Sequence, residues 1–493
     1  MKYKLLGPPG TGKTTRLLEY LERELEKGIP AERIAFLTFT RAARMEALHR
    51  ANKTEKEFPF CKTIHSICYH QLGVGRDQVV RPENIRVFGK KIGIKLTGAD
   101  LDPWIEEYER TLEAATRDDV LLQINHHGRH RKIMLKEALE NASFDIDYKY
   151  AVWFTNAYRA WKTAEGILDY TDLLSRYVEY GKPLDIDVLF VDEAQDLSRL
   201  QWEVVNILGQ KAGTWYVAGD DDQAIFNWAG ADSSVFQDFR SDSVEVLNES
   251  HRLSRAVHGA ARKITDRIKK RLPKEYQPRD SQGSVQNAGY ITTTDLSEKT
   301  YLLFRNHFRG ADLASILKRE RIPYIGKGSP VNSKETRVAL YAWYNLFKKK
   351  EETSERVKTL IRFMDEEYLN PMARNLVKQK PILGIDEVFI SRPNYHNWYF
   401  TLKNLPGRDT LPDLIRHAGI LRCALPKVEL MSIHQSKGRE AHTVIIDPDM
   451  SRSVFNNMIH NPDDEHRVWY VAVTRAKERV FLLLPNGAFS YRF

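Results

Sequence analysis

Cysteine is almost missing from this chain: Cys61, Cys68 and Cys423 are the three present in 493 residues. Three thiols cannot build a disulfide framework, and none pairs at C-x-x-C spacing, which predicts a reducing compartment and no structural zinc. Long apolar runs are missing as well. The longest are about five or six residues, against the ~20 needed to cross a bilayer. Recognisable chemistry begins at Gly7, which leaves no room for a signal peptide. There is no internal repeat, low-complexity tract or long flexible linker. These absences predict a soluble, cytoplasmic protein with no membrane partner.

Hydrophobic residues make up 42% of the chain, enough for packed cores and against disorder. At roughly 150 residues per domain, the length predicts about three domains or subdomains. Acidic residues are outnumbered, with Lys plus Arg at 75, Asp plus Glu at 66 and a net charge of +9. Such an excess favours a polyanionic partner, nucleic acid or an anionic membrane surface, over a basic protein with neither.

The chain opens KYKLLGPPGTGKTT. Tyr3 to Leu6 is a short apolar run, and Gly7, Pro8, Pro9, Gly10, Thr11, Gly12, Lys13 and Thr14 fit G-x-x-x-x-G-K-[ST]. Thr15 follows, and Leu17, Leu18, Leu21 and Leu25 then fall on one helical face, closed by Lys27-Gly28. Strand, glycine loop and helix form the context in which backbone N–H groups wrap a phosphate. Lys13 is expected at the β- and γ-phosphates of ATP, and the Thr14 hydroxyl on Mg2+. Far downstream, DVLFV at 187–191 runs into Asp192, Glu193, Ala194, Gln195 and Asp196. A carboxylate at a strand end can hold magnesium, and its neighbour can orient and deprotonate an attacking water, which suits hydrolysis. The long gap between the two halves requires an inserted subdomain.

Gly219–Gln223 follows a third strand signal and precedes AIFNWAGA. At this point the sequence resembles the UvrD/Rep family of superfamily 1 DNA helicases. GPPGTGKT, FLTFTRAA, TIHS, DYTDLL, VDEAQD, GDDDQAIFNWAGA, LNESHRLS, VELMSIHQSKGREA and HRVWYVAVTRAKERVFLL are similar to nine family motifs, in order and over nearly the whole chain. The resemblance implies that Gln223 senses the γ-phosphate from the first core. It implies that Arg252 and Arg475 reach that phosphate from the second core, so that hydrolysis needs the two cores closed, and that Glu440 contacts the nucleotide sugar. A planar, permanently charged guanidinium suits the charge that spreads over phosphoryl oxygens. Phe39, Phe226 and Trp228 sit after apolar strands, where base stacking is worth roughly 1–3 kcal/mol whatever the sequence. The resemblance places them on single-stranded DNA, with Thr63 and His65 as backbone contacts.

Two departures concern the base. The family's glutamine motif has no counterpart ahead of Gly7, and His251 stands where a tyrosine usually packs on adenine. Tolerance of other nucleoside triphosphates is therefore expected. In the third strand's motif, Ala229 replaces a frequent arginine.

Alternating strand and helix signals predict an α/β protein with two RecA-like P-loop cores of parallel sheet, each carrying an inserted, mainly helical subdomain. The first core is expected over about 1–75 and 180–250, with its insertion at 76–179 and amphipathic stretches such as PWIEEYERTLEAA. The second is expected over about 251–335 and 425–493, with a reduced insertion at 336–424. The chain stops soon after the last motif, leaving no room for a fused nuclease or a long partner-binding tail. Two basic clusters stay open. His126, His127, Arg129, His130, Arg131 and Lys132 could be a metal site, a solvated face or a duplex-phosphate contact. Arg267, Lys269, Lys270 and Arg271 read as a solvated face of a helix spanning 262–274.

The function expected is an ATP-dependent helicase that moves 3′ to 5′ on single-stranded DNA and unwinds duplex. Its partners would be single strands, single/double-strand junctions and a protein loading partner, and it would be monomeric in solution. The alternatives are a translocase that strips proteins from single strands and unwinds little without a partner, a nucleic-acid-binding module without ATPase activity, and a small-molecule kinase. Intact Lys13, Glu193, Gln223, Arg252 and Arg475 argue against the third reading, and the aromatics and paired cores against the fourth.

Overall fold

The computed structural model describes residues 1–38, 41–98, 118–140, 146–390 and 409–493. Phe39 and the stretch PWIEEYERTLEAA lie outside the described residues. The chain divides into two compact units, Met1–Ser281 with Asn456–Val471, and Gln282–Phe455 with Ala472–Phe493.

The first unit is built on six parallel strands in the order β3-β2-β4-β5-β1-β6. They are β1 (Lys2–Leu6), β2 (Ile34–Leu37), β3 (Cys61–Lys62), β4 (Val188–Val191), β5 (Thr214–Gly219) and β6 (Ser243–Val246). Every residue of β2 and β4 is buried, as a parallel sheet covered on both faces requires. Helix α1 (Lys13–Glu26) lays Leu17, Leu18 and Leu21 on one face of the sheet, against Phe36, Phe190 and Ala218. The other face is closed by α2 (Ile64–Gln71), by Leu173, Leu174 and Tyr177, and by Val204, Val205 and Leu208.

The described residues of the insertion are mainly helical. Helices α3 (Pro82–Ile92), α4 (Asp119–Arg131) and α5 (Tyr148–Glu165) share a core of Phe88, Leu122, Phe154, Tyr158 and Trp161. Helix α6 (Tyr170–Tyr180) returns the chain to β4, and α7 (Arg199–Leu208) follows that strand.

Residues 251–281 belong to the first unit rather than the second. The physical reason is local. Ser250 Oγ donates to Pro9 O at 2.7 Å and His251 N to Gly10 O at 2.9 Å, so the chain leaving β6 is bonded to the glycine loop beside it. The helix in this stretch is α8 (Arg255–Thr265); it ends nine residues short of Lys274, and the chain beyond it is irregular.

The second unit repeats the plan with parallel strands in the order β7-β14-β13-β8-β12-β9. These are β7 (Ser284–Ala288), β8 (Thr300–Phe304), β9 (Tyr324–Ile325), β12 (Val428–Ser432), β13 (Ala441–Ile446) and β14 (Ala476–Leu483). Its insertion has its own core of Trp343, Leu346, Leu360, Leu383 and Phe389, with an antiparallel pair, β10 (Glu351–Thr353) and β11 (Ile382–Gly384). The two parallel sheets confirm the α/β class with two such cores.

Candidate functional site

In an open parallel sheet the loops leaving the carboxyl ends of neighbouring strands converge. Here β4, β5 and β1 are neighbours, and from their carboxyl ends leave Asp192-Glu193, Asp220–Gln223 and the Gly7–Thr14 loop. Strand order thus brings together three motifs that are widely separated in sequence; Thr14 and Asp192 are 178 positions apart.

Gly12 caps α1 with a left-handed backbone and no side-chain hydrogen bond, which leaves first-turn N–H groups to meet an anion. Lys13 is buried, its Nζ 2.7 Å from Glu193 and 3.9 Å from Asp192. Burial works to discharge this ammonium, but the Glu193 and Asp192 carboxylates overcome it, and its pKa stands above the ordinary lysine value. The same burial pushes the Asp192 carboxyl up to about 6 against the pull of Lys13. Thr14 Oγ1 donates to Asp192 Oδ2 at 3.2 Å. A hydroxyl and a buried, reluctantly ionised carboxylate side by side are the hard oxygen donors that a magnesium ion takes, so these residues fit that ion.

Glu193 adopts φ +50, uncommon for a side chain with a Cβ and worth about 1–3 kcal/mol of strain. Its neighbours hold it there. Its backbone N donates to Asp192 Oδ1 at 2.9 Å, and its carboxylate accepts the Gln195 amide at 2.6 Å. Gln195 also accepts Asp220 N at 2.9 Å, tying the β4 loop to the β5 loop. Gln223 Nε2 donates to Asp220 Oδ2 at 2.7 Å. Arg252 lies beside the glycine loop in the same unit, through the Ser250 and His251 bonds already described. In the division into two units it falls in the first, whereas the sequence reading expected it in the second. His251 is exposed at this edge.

Arg475 and Glu440 belong to the second unit. They stand just before β14 and β13, adjacent strands, where Ala441 N donates to Arg475 O at 3.0 Å. The Arg475 side chain is buried and donates to Arg439 O at 3.3 Å and Thr474 Oγ1 at 3.2 Å, while Glu440 pairs with Lys477 at 2.5 Å.

Of the expected DNA contacts, Thr63 and His65 lie at the β3 edge of the first sheet, whereas Phe226 and Trp228 follow β5. Thr63 follows β3 and caps α2, accepting Ser66 N. His65 sits edge-on to Tyr170, and burial pushes its pKa down to about 4. Phe226 and Trp228 are half-buried with ring centres 6.5 Å apart, and Trp228 packs on the helical insertion's core.

Most of the first basic cluster is packed against the protein rather than forming a solvated face, although Lys132 is exposed, and no metal-holding group of His, Cys, Asp and Glu occurs among the described residues. Helix α4 turns it inward: His126 meets Thr171 Oγ1 at 2.7 Å, His127 meets Trp228 O at 3.1 Å and His130 meets Ser198 Oγ at 3.0 Å. Arg129 pairs with Asp169 and Asp172, Arg131 with Asp232 and Lys132 with Glu203. Those carboxylates and hydroxyls come from distant sequence, so the local string could not reveal them. In the second cluster, Arg271 pairs with Asp222 at 2.6 Å and is not a solvated helical charge.

Sequence reasoning missed Gln195, Ser250 and Lys274. For Lys274 a signal existed, since three successive carboxylates after an apolar strand need a countercharge once buried.

Two family models match the chain in succession, the UvrD/REP helicase N-terminal domain over residues 2–243 and the UvrD-like helicase C-terminal domain over 248–486. Among curated relatives, the putative ATP-dependent DNA helicase YjcD of Bacillus subtilis is 22% identical, across 98% of this chain and 76% of its own. The probable DNA helicase II homolog of Mycoplasma capricolum is 21% identical, across 99% and 83%. The ATP-dependent DNA helicase PcrA of Staphylococcus epidermidis is 22% identical, across 97% and 80%. With both halves of one family's description matched in order, the chain belongs to the UvrD/Rep helicase family.

Proposed function

We propose that this chain hydrolyses ATP to move 3′ to 5′ along single-stranded DNA and to unwind the duplex ahead. The observation that carries the hydrolytic half is the buried Lys13 and Asp192, with Glu193 paired to Lys13, at the uncapped start of α1. The first-turn N–H groups and Lys13 bind phosphate oxygens. Glu193, its carboxylate oriented by the Gln195 amide, accepts the proton of the attacking water. Gln223, anchored on Asp220, orients that water against the terminal phosphate. Arg252 adds a permanent positive charge from the β6 side. Thr14 and Asp192 would hold a magnesium ion, which would supply neutralisation of phosphate charge.

On the DNA side, Phe226 and Trp228 leave the same β5 loop as Gln223, so a change at Gln223 reaches the stacking residues through four residues of backbone. This short link supports coupling between hydrolysis and grip. The direction of travel and the unwinding of duplex rest on the family resemblance. Partners are single strands and their junctions with duplex.

The test is ATP hydrolysis with and without single-stranded DNA, for the wild type and Lys13→Ala, followed by unwinding of duplexes bearing a 3′ or a 5′ tail. DNA stimulation that is lost in Lys13→Ala, with preference for the 3′ tail, is expected. Absence of stimulation removes the translocase reading, and preference for the 5′ tail refutes the direction.

A further inference from the structure

The irregular segment after α8 has no role in the mechanism above, yet it buries a lysine. The Lys274 side chain is 1% exposed and lies among the side chains of Asp220, Asp221 and Asp222, exposed by 0%, 0% and 1%. Its Nζ is 3.0 Å from Asp220 and 3.0 Å from Asp222, and pairs with Asp221 as well. Burial alone would strip this ammonium of its proton; the three carboxylates reverse that and hold its pKa above the ordinary value. A compact ammonium with three donors can serve three carboxylates at once.

The three aspartates have different second partners. Asp221 accepts Leu272 N at 2.8 Å and the Gln237 amide at 2.9 Å. Asp222 accepts Arg271 at 2.9 and 2.6 Å. Asp220 instead faces the nucleotide site: its Oδ2 accepts the Gln223 amide at 2.7 Å, and its ion-pair partner is Lys274. The backbone of the cluster is fixed from a further side, where Arg467 Nε donates to Asp221 O at 2.9 Å.

We infer that Lys274 is a positioning residue for nucleotide hydrolysis: by fixing the Asp220 carboxylate it fixes the Gln223 amide, an inference that rests on Gln223 acting at the terminal phosphate. Without the ammonium, Asp220 is left buried beside two other carboxylates. It then takes up a proton or turns away. A protonated carboxyl can donate to the Gln223 oxygen, letting the amide flip and present the wrong end to water.

Lys274→Met alone leaves a buried carboxylate in excess and is expected to cost folding. It is therefore combined with Asp221→Asn, with Asp221→Asn alone as reference. Thermal melting and steady-state ATP hydrolysis at saturating single-stranded DNA are measured for each, in wild-type and Gln223→Ala backgrounds. The double substitution keeps the wild type's net charge in the cluster and is expected to fold, to lower kcat at least about tenfold below its reference and to leave KM for ATP within about twofold, as loss of an aligned polar group does. In the Gln223→Ala background it is expected to lower kcat no further. A kcat equal to that of Asp221→Asn overturns the inference, and so does an equal proportional loss without Gln223. Undiminished kcat in Gln223→Ala itself overturns the reading of Gln223 and the inference with it. A wild type without DNA-stimulated hydrolysis sinks the proposed function, a result distinct from both.

Discussion

Gly10→Ala and Gly12→Ala are expected to separate backbone strain from the placement of Arg252. Gly10 and Gly12 hold left-handed backbone, with φ +73° and +79°. Alanine at either position costs about 1–2 kcal/mol of strain. Their surroundings differ. A Cβ on Gly12 meets nothing nearer than Thr15 Cβ at 3.8 Å, ordinary contact. A Cβ on Gly10 collides with Arg252 Cβ and comes within 2.9 Å of Ser250 Oγ. To accept it, the 250–252 chain must withdraw, breaking the Ser250–Pro9 and His251–Gly10 hydrogen bonds, each worth about 1 kcal/mol. The expected loss is therefore about 1–2 kcal/mol for Gly12→Ala and about 3–4 kcal/mol for Gly10→Ala. Urea unfolding of the nucleotide-free protein measures both without interference from phosphate binding. Adding Arg252→Gly removes the colliding Cβ, so the extra penalty at Gly10 should shrink. Equal losses at the two glycines, or an extra penalty unchanged by Arg252→Gly, would refute the claim that Gly10 exists to let Arg252 approach.

Glu193→Gln keeps the size of the side chain and removes its basicity; kcat for ATP should fall by at least about a hundredfold while ATP binding, followed by a fluorescent analogue, is retained. His126 is buried and its pKa is pushed down to about 4 by burial, below the unfolded value of about 6.5. The folded state then binds fewer protons between those values, so stability is full above pH 6.5 and falls as the pH drops toward 4, by up to about 3 kcal/mol. A melting series over that range should show the loss, and His126→Gln should reduce it. Trp228→Ala should weaken single-strand binding by about 1–3 kcal/mol in a fluorescence titration, independent of base sequence. GTP and CTP should support DNA-dependent hydrolysis, given exposed His251 at the adenine-packing position; no hydrolysis with either would refute the expected tolerance.

Much of the site is legible in the residues themselves. A glycine loop between an apolar run and an amphipathic helix is legible as a candidate phosphate cradle, because the backbone conformation at Gly12 and the position of Lys13 are both local consequences of the string. Asp192 and Glu193 are equally local, set at the end of a wholly buried strand. Basic strings mislead for the opposite reason. The charges of His126–Lys132 stay open between metal site, solvated face and phosphate contact until Thr171, Ser198, Asp169, Asp172, Asp232 and Glu203 are brought to them from elsewhere in the chain.

The sequence alone therefore determined the chemistry and the α/β class, since both follow from short-range patterns: which residue types sit next to a strand end, and with what period apolar residues recur. Tertiary structure decided which unit owns Arg252, where Lys274 goes and what Asp220 holds. Those outcomes depend on the order of strands in the sheet, with β6 placed beside β1 and β5 between β4 and β1. Strand order is fixed by packing across the whole unit, where a buried charge must find its partner whatever their distance along the chain.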